Sequence, residues 1–418
     1  VLTAGAVILC AGAGSYKSPG FPIWGQTFDG DAMAYEVGAK IVGKEFNDTH
    51  PTFANIPAAS YQGWKWAQEV VGAYVMVGPP DKLMGGLTLN LALGAYSEGV
   101  DRRAGVGPGG EPPKVPGKAP PGAEERKRNR KYLGKGYLTT PGLHLDLGGP
   151  PQTPPDKDND IVTGHRVGGA TAGMGVHKSE GVFCSDYSCA ADGVEGLFAA
   201  GDALGSMMCG SVYPGRGFSS YGSAIQGRLA GKNAALYVKG NPAPKISFQK
   251  IEKLVKKMWA PRENEKGYSP EWITATLQNT MTPFHILYIK DKRRLDGALA
   301  SIEFLRQHCV PLMIARDGHE LRTANEVKSM LLNAEMKLRS GLFREESRGT
   351  HFREDFPIRN DREWHCWVTV QEIDGAMAMG KHMLPEEWKP DPTKSYRENY
   401  PRVLPGEDEF IRKNNFKV

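Results

Sequence analysis

The stretch GLFAAGDALGSMMCGSVYPGRGFSSYGSAIQGRLAGKNAALY, residues 196–237, constrains the fold more than any other part of the chain. A short apolar run, Gly196 to Ala200, has strand character and stops at Gly201-Asp202. A loop rich in Gly and Ser follows, then an apolar run with helical spacing. Strand, glycine turn and helix form the repeating unit of α/β domains, whose ligands bind at such turns. A similar unit opens the chain. In AGAVILCAGAGSY a β-branched centre reads as a buried strand stopped by Gly12 and Gly14. DGDAMAYEVGAKIVG then reads as a helix, with Ala32, Met33, Val37, Ile41 and Val42 at helical spacing and an acidic first turn suited to the positive helix end. EFNDTHPTF reads as a short strand and turn.

Between these units, from about residue 55 to 150, the pattern loosens. PGGEPPKVPGKAPPGAEERKRNRK is dense in Pro, Gly and charge and reads as a surface loop or insertion. Residues 246–345 read as helical, because SFQKIEKLVKKMW, RRLDGALASIEFLRQH and TANEVKSMLLNAEMKLRSGLF each carry an amphipathic stripe. In the last, Val327, Met330, Leu331, Ala334, Leu338 and Leu342 line one face. From about 375 the chain is rich in Pro and charge and reads as a surface tail.

The totals exclude several classes. With 418 residues the chain has room for two or three cored domains. The 52 basic residues nearly balance the 47 acidic ones, and much of the excess sits in EERKRNRKYLGKGY, so nucleic acid is not indicated. No apolar run reaches the roughly 18 residues of a membrane span. The six cysteines are scattered, and the lone Cys184–Cys189 spacing fits neither a zinc ribbon nor an iron–sulfur cluster, so no metal site is expected. Reduced thiols and a cytoplasmic setting are expected.

Five stretches, in this order, resemble the fumarate reductase/succinate dehydrogenase flavoprotein family, which includes adenylylsulfate reductase α subunits. GAVILCAGAGSY resembles the strand and Gly turn under the FAD. TFDGDAMAYEVGAKIVGKEF is similar to the family's T-G-D-G-x-x-M-A helix start, followed by HPT. GLFAAGDA with GRLAGKNAA resembles the second flavin-contacting strand and helix. LFREESRGTHFREDFPIRNDREWHCWV resembles the C-terminal E-S-R-G-x-H-x-R-x-D-x-P signature.

The resemblance implies an α/β FAD-binding domain of glutathione-reductase-like type, with the first βαβ unit missing, an inserted α+β capping domain and a C-terminal helical domain. The expected divisions are 1–54 and 161–245 for the FAD domain, 55–160 for the cap, 246–375 for the helical domain and 376–418 for an extended tail. CAGAGSY lacks G-x-G-x-x-G spacing, so the chain is expected to be N-terminally incomplete.

The implied cofactor is FAD, and the implied reaction is hydride transfer between flavin N5 and an anionic substrate clamped by arginine. Arginine suits the clamp because its fork binds a carboxylate at two points and stays charged when desolvated. Arg216 is the expected clamp, although it lies two residues later than the family's substrate arginine; pairing with a carboxylate nearby is the plainer alternative. His50 of HPT resembles the histidine that donates to a substrate carboxylate, and Arg103 resembles the proton-delivering arginine of the cap. Structural and surface roles are their alternatives.

Ala11, Gly12, Gly14, Gly201, Ser219 and Ser220 resemble flavin contacts. Asp202 resembles the acceptor for a ribityl hydroxyl. Asp29 resembles the acid near the adenosine, or is a plain helix N-cap. Thr171 stands where the family has a second substrate histidine, and the TEG that follows HPT in the family is absent. These departures, with FSSYGSAIQGR and WHC, lean toward adenylylsulfate reductase as the alternative, and a non-catalytic flavoprotein or assembly subunit is the alternative of another class. An iron–sulfur subunit is the implied partner, through which the protein would sit at the periphery of the inner membrane. The signature's Arg348, His351, Arg353 and Asp355 are expected to form an ion-pair cluster locking the helical domain onto the flavin domain.

Overall fold

The computed structural model describes residues 3–17, 25–47, 52–53, 166–167, 180–205, 218–241, 245, 247–282, 284–287, 289–348, 351–400 and 403–416. In chain order the elements are β1 (Val7–Leu9), α1 (Asp29–Glu36), β2 (Ile41–Val42), β3 (Thr52–Phe53), β4 (Arg166–Val167), β5 (Gly181–Val182), β6 (Leu197–Ala199) and α2 (Phe218–Gly240). Next come α3 (Phe248–Trp259), α4 (Pro270–Met281), α5 (Phe284–Leu287), β7 (Ile289–Lys290), α6 (Lys292–Phe304) and α7 (Gly318–Phe343). Last come β8 (Phe352–Arg353), α8 (Asp361–Trp364), β9 (Cys366–Ile373), β10 (Ala376–Met383), α9 (Tyr396–Asn399) and α10 (Glu407–Asn414).

β1 and β6 are parallel, with Val7 opposite Leu197 and Leu9 opposite Ala199. Ala200 N–H continues the ladder by donating to Leu9 O at 3.0 Å. Parallel neighbours send their C-terminal ends to the same edge, and both glycine turns therefore emerge together. A second sheet has the order β10-β9-β2-β5, antiparallel throughout. Its inner strands share one core with α1, β6 and α2, in which Ile41, Phe198, Ala199, Ala230 and Val370 are buried.

The second core is helical. α4, α6 and α7 bury Ile273, Leu277, Leu295, Ile302, Val327, Met330, Leu331, Ala334 and Leu338 together with Tyr16 and Phe28. The stripe expected on α7 is inside, with Leu342 only half-buried at its end. Asp317 caps α7, its side chain accepting from Glu320 N–H.

Three expectations differ from the structure. The helix expected over residues 29–43 stops at Glu36, and Gly38 turns the chain at φ +92°. Ile41 and Val42 then pair with both β5 and β9, where β-branched side chains pack on a pleated surface. Their helical spacing to Ala32 was coincidental. β1 is not a buried strand among the described residues: Val7 is 55% exposed, with β6 as its described neighbour. The tail expected from 376 begins as β10, whose eight residues pair with β9 around Asp374-Gly375. A strand of Ala and Met at a sheet edge, with its polar residues at one end, lacks the apolar/polar alternation that would have revealed it.

Candidate functional site

Two turns lie side by side where β1 and β6 end. Gly12 has φ +76° and Gly201 φ +69°, conformations that side-chain-bearing residues rarely adopt. Gly201 N–H donates to Gln226 Oε1 on α2 at 3.1 Å, so the helix pins the second turn. Asp202 follows in a single 3-10 turn, Gly201–Ala203. On the β1 side, Ser15 N–H donates to Gln26 O at 2.9 Å, laying the loop along residues 26–28. The approach is close: a Cβ on Gly14 would come within 2.4 Å of the Phe28 backbone nitrogen. A Cβ on Gly30 would meet Ala11 Cβ at 2.8 Å, which packs the first turn of α1 onto the end of β1.

The structure thus brings together Ala11, Gly12, Gly14 and Asp29 on one loop and helix start, and sets Gly201 and Asp202 beside them through the β1–β6 pairing. Asp29 is not the helix cap. Phe28 occupies that place at φ +61° without a side-chain bond, while Asp29 Oδ2 accepts from Thr27 Oγ1 at 2.6 Å. Ser219 and Ser220 belong to the first turn of α2. His50, Arg103 and Arg216 lie outside the described residues.

Beneath the glycine loop runs a seam of buried charge. Lys44 pairs with Asp31 and reaches Glu180 at 3.3 Å; Lys337 from α7 bonds the other Glu180 oxygen at 2.5 Å. Both ammonium groups face the Phe28 ring, at 4.9 and 5.8 Å from its centroid. Burial pushes the Asp31 carboxyl up, opposed by Lys44. Burial also pushes the Lys337 ammonium down, against the pull of Glu180.

The seam continues through the signature. Arg344 Nε bonds Glu45 at 2.8 Å, its Nη1 bonds Glu346 at 2.7 Å, and its remaining donors reach Trp364 O and Cys366 O. Arg353 forms a two-point pair with Asp355, each bond 2.7 Å, and donates to Gly341 O and Leu342 O at the end of α7. A cation there complements the helix dipole. Arg348 joins Glu346 and Asp361.

His351 is fully buried: its Nε2 lies 3.2 Å from Arg344 O and its Nδ1 3.0 Å from Lys290 Nζ. That pattern fits an imidazole donating from Nε2 and accepting at Nδ1. Burial, then the charges of Lys290, Arg353 and Arg344, hold His351 well below the ordinary histidine range. Lys290 is likewise held well below its ordinary range, by burial first and Lys337 next.

Of the four signature residues expected to form an ion-pair cluster, Arg348, Arg353 and Asp355 make ion pairs, His351 does not, and the link to the segment after β2 is Arg344 with Glu45. Sequence reading missed Lys44, Glu180, Lys337 and Lys290. A charged residue inside an apolar stripe, as Lys337 is between Met336 and Leu338, was the available signal.

Comparison with known proteins matches residues 274–392 to the family described as fumarate reductase flavoprotein C-term. The succinate dehydrogenase flavoprotein subunit of Rickettsia bellii is 29% identical over 208 residues, 47% of this chain and 33% of that protein. The chain thus spans about a third of the length of the curated relatives it matches. Mycobacterium smegmatis Sdh1, solved with UQ1, superposes with TM-score 0.60 at 21% identity, over 91% of this chain and 61% of that one. Adenylylsulfate reductase of Archaeoglobus fulgidus gives 0.59 at 20%, covering 92% and 67%. The sequence likeness to fumarate reductase and succinate dehydrogenase flavoproteins thus covers part of the chain, and the likeness in α/β fold extends to adenylylsulfate reductase. No helix among the described residues is long and apolar enough to cross a membrane.

Proposed function

We propose that this chain, a family-level match to the fumarate reductase/succinate dehydrogenase flavoproteins, is part of an FAD-dependent oxidoreductase subunit acting on a small anionic substrate. The observation that carries the reading is the shared edge of β1 and β6. Two left-handed glycine turns meet there, and Asp202 stands beside them. The donor set fits the cofactor: small residues permit close approach, and a carboxylate accepts from a polyol hydroxyl. Ala11, Gly12, Gly14, Gly201, Ser219 and Ser220 would line the cofactor, Asp202 would take a ribityl hydroxyl, and Asp29 would stand toward its adenosine.

FAD, when bound, supplies hydride chemistry. The chain's own residues would hold and orient the substrate. Arg216 is proposed as its two-point clamp, His50 as a donor to its carboxylate, and Arg103 as the group that returns a proton to it. The buried seam would hold the loop of Gly12 and Gly14 in place from beneath. An iron–sulfur subunit is proposed as the electron-transfer partner. The second reading, sulfur chemistry of the adenylylsulfate reductase kind, draws on FSSYGSAIQGR, WHC and the Thr171 departure in the sequence.

The test is turnover in the complete protein. Arg216→Ala should lower it by orders of magnitude with the flavin spectrum unchanged, and Arg216→Lys should not restore it, because a point charge does not replace a fork. His50→Ala should cost less. Reoxidation of reduced flavin by a panel of activated alkenes and by adenylylsulfate would separate the two chemistries. An Arg216→Ala protein that turns over at the parent rate would remove the clamp from this residue.

A further inference from the structure

α3 is an amphipathic helix whose apolar arc stands in solvent. Its sequence, FQKIEKLVKKMW, divides without exception when wound at about 100° per residue. Phe248, Ile251, Leu254, Val255, Met258 and Trp259 fill an arc of about 140°, and Gln249, Lys250, Glu252, Lys253, Lys256 and Lys257 fill the rest. A helix of this kind in a globular protein ordinarily buries the apolar arc. Here Phe248 is 78% exposed, Leu254 55%, Met258 54% and Trp259 53%, and Ile251 is half-buried.

Both sides of the helix are exposed, and three bonds near its C-terminal end tie it to the protein. Lys257 Nζ pairs with Glu36 Oε1 of α1 at 2.7 Å. From α7, Lys328 Nζ donates to Lys257 O at 2.9 Å and Asn325 Nδ2 to Met258 O at 3.2 Å. Fraying does not account for the exposure, since Ser247 caps the helix and its C-terminal carbonyls are held by α7. The helix is fastened near its C-terminal end, with its apolar arc to solvent.

The surrounding charge selects what would cover it. From Lys239 to Arg262 the sequence holds Lys239, Lys245, Lys250, Lys253, Lys256, Lys257 and Arg262 against the single acid Glu252. Aromatic and aliphatic side chains on one face, with lysines on the other, are the make-up of a helix lying in the plane of an anionic bilayer surface. Its length is that of a helix lying on the bilayer, well short of the roughly 20 residues of a span.

We propose that α3 is a membrane-surface anchor through which this chain binds anionic phospholipid directly. Phe248, Leu254, Met258 and Trp259 enter the boundary between headgroups and acyl chains, and Lys250, Lys253 and Lys256 meet the headgroup phosphates. This goes beyond the proposed oxidoreductase reading and does not depend on it.

The experiment is co-sedimentation of the complete protein with vesicles of equal parts phosphatidylglycerol and phosphatidylcholine, and with vesicles of phosphatidylcholine alone. Binding is expected to the anionic vesicles, to weaken at about 0.5 M salt, and to be slight on neutral ones. The double variant Leu254→Glu/Met258→Glu should lower the partition constant more than about tenfold, and each of Lys253→Gln and Lys256→Gln roughly fivefold. All four positions are exposed, so the thermal midpoint should stay with the parent. Parent protein left in the supernatant with anionic vesicles overturns the proposal, as does binding that the double variant leaves intact. A double variant that instead splits an oligomer assigns the face to a second copy. One that instead lowers the thermal midpoint assigns it to another segment of this chain. Either result, without a change in vesicle binding, replaces the lipid reading.

Discussion

The seam between α7 and the antiparallel sheet, and the outer face of α3, invert the usual division of side chains in opposite directions. In the seam Lys44, Lys337, Arg344 and Arg353 are buried, each with a carboxylate partner. On α3 the large apolar side chains face outward instead. The difference lies in what each departure from the rule requires. Burying a charge costs several kcal/mol unless a partner and further hydrogen bonds offset it, and the seam supplies both. Exposing an apolar arc costs the burial it forgoes, about 25 cal/mol for each Å². Charge placed inside is therefore resolved within the chain, and the apolar surface outside is resolved only by something that covers it.

The comparison breaks first if the seam proves soft. Arg344 bonds partners in three segments, so Arg344→Met should cost about 3–5 kcal/mol in denaturant unfolding, leaving Glu45 buried without its cation and Glu346 with Arg348 alone. A loss below about 1 kcal/mol would show that water reaches the seam. Lys337→Met should cost less, about 1.5–3 kcal/mol, because Lys44 still faces Glu180. Adding Glu180→Gln should cost less than the two single losses summed, as coupled partners do.

Acid should act on the seam next. Burial and three cations hold His351 well below its unfolded value, so the native state keeps it neutral where the unfolded chain takes up a proton. The unfolded state then binds more protons, and stability rises with pH. The contribution is whole above about pH 6.5 and falls away as pH drops from there toward the depressed native value. His351→Gln should flatten that acid limb of a stability–pH profile, and an unchanged limb would place the titration in another group. The smallest effect belongs to α3. Leu254→Glu should shift unfolding by no more than about 0.5 kcal/mol, because the side chain is exposed already.

Much of this fold could be read from the sequence where one periodicity ruled. α7 keeps a continuous apolar stripe, and β6 stops at a glycine that the backbone requires at φ +69°. Reading failed where two patterns coincided. Ile41 and Val42 fit the α1 spacing yet form a strand, since Gly38 turns the chain before the helix reaches them. For the candidate site, Gly12, Gly14, Gly201 and Asp202 announce themselves as turn residues. Their meeting depends on β1 lying parallel to β6, across some 190 residues of sequence, which no local pattern encodes. Lys44, Glu180 and Lys337 were hidden for the same reason. Each is an ordinary surface-type residue until the fold gives it a partner. The amphipathic stripe of α3 was plain in the sequence, but that it would stand in solvent was not.

The edge where β1 and β6 end carries the functional account, and flavin retention tests it most directly. FAD content and dissociation would be measured on the complete protein, parent against Asp202→Ala, with circular dichroism as the check on folding. The account predicts a yellow parent with one FAD for each chain and a variant that folds alike but releases FAD about 10–100-fold more readily, the loss of a hydrogen bond to a charged acceptor. A parent that holds no flavin, or a variant that holds it as tightly, would contradict it.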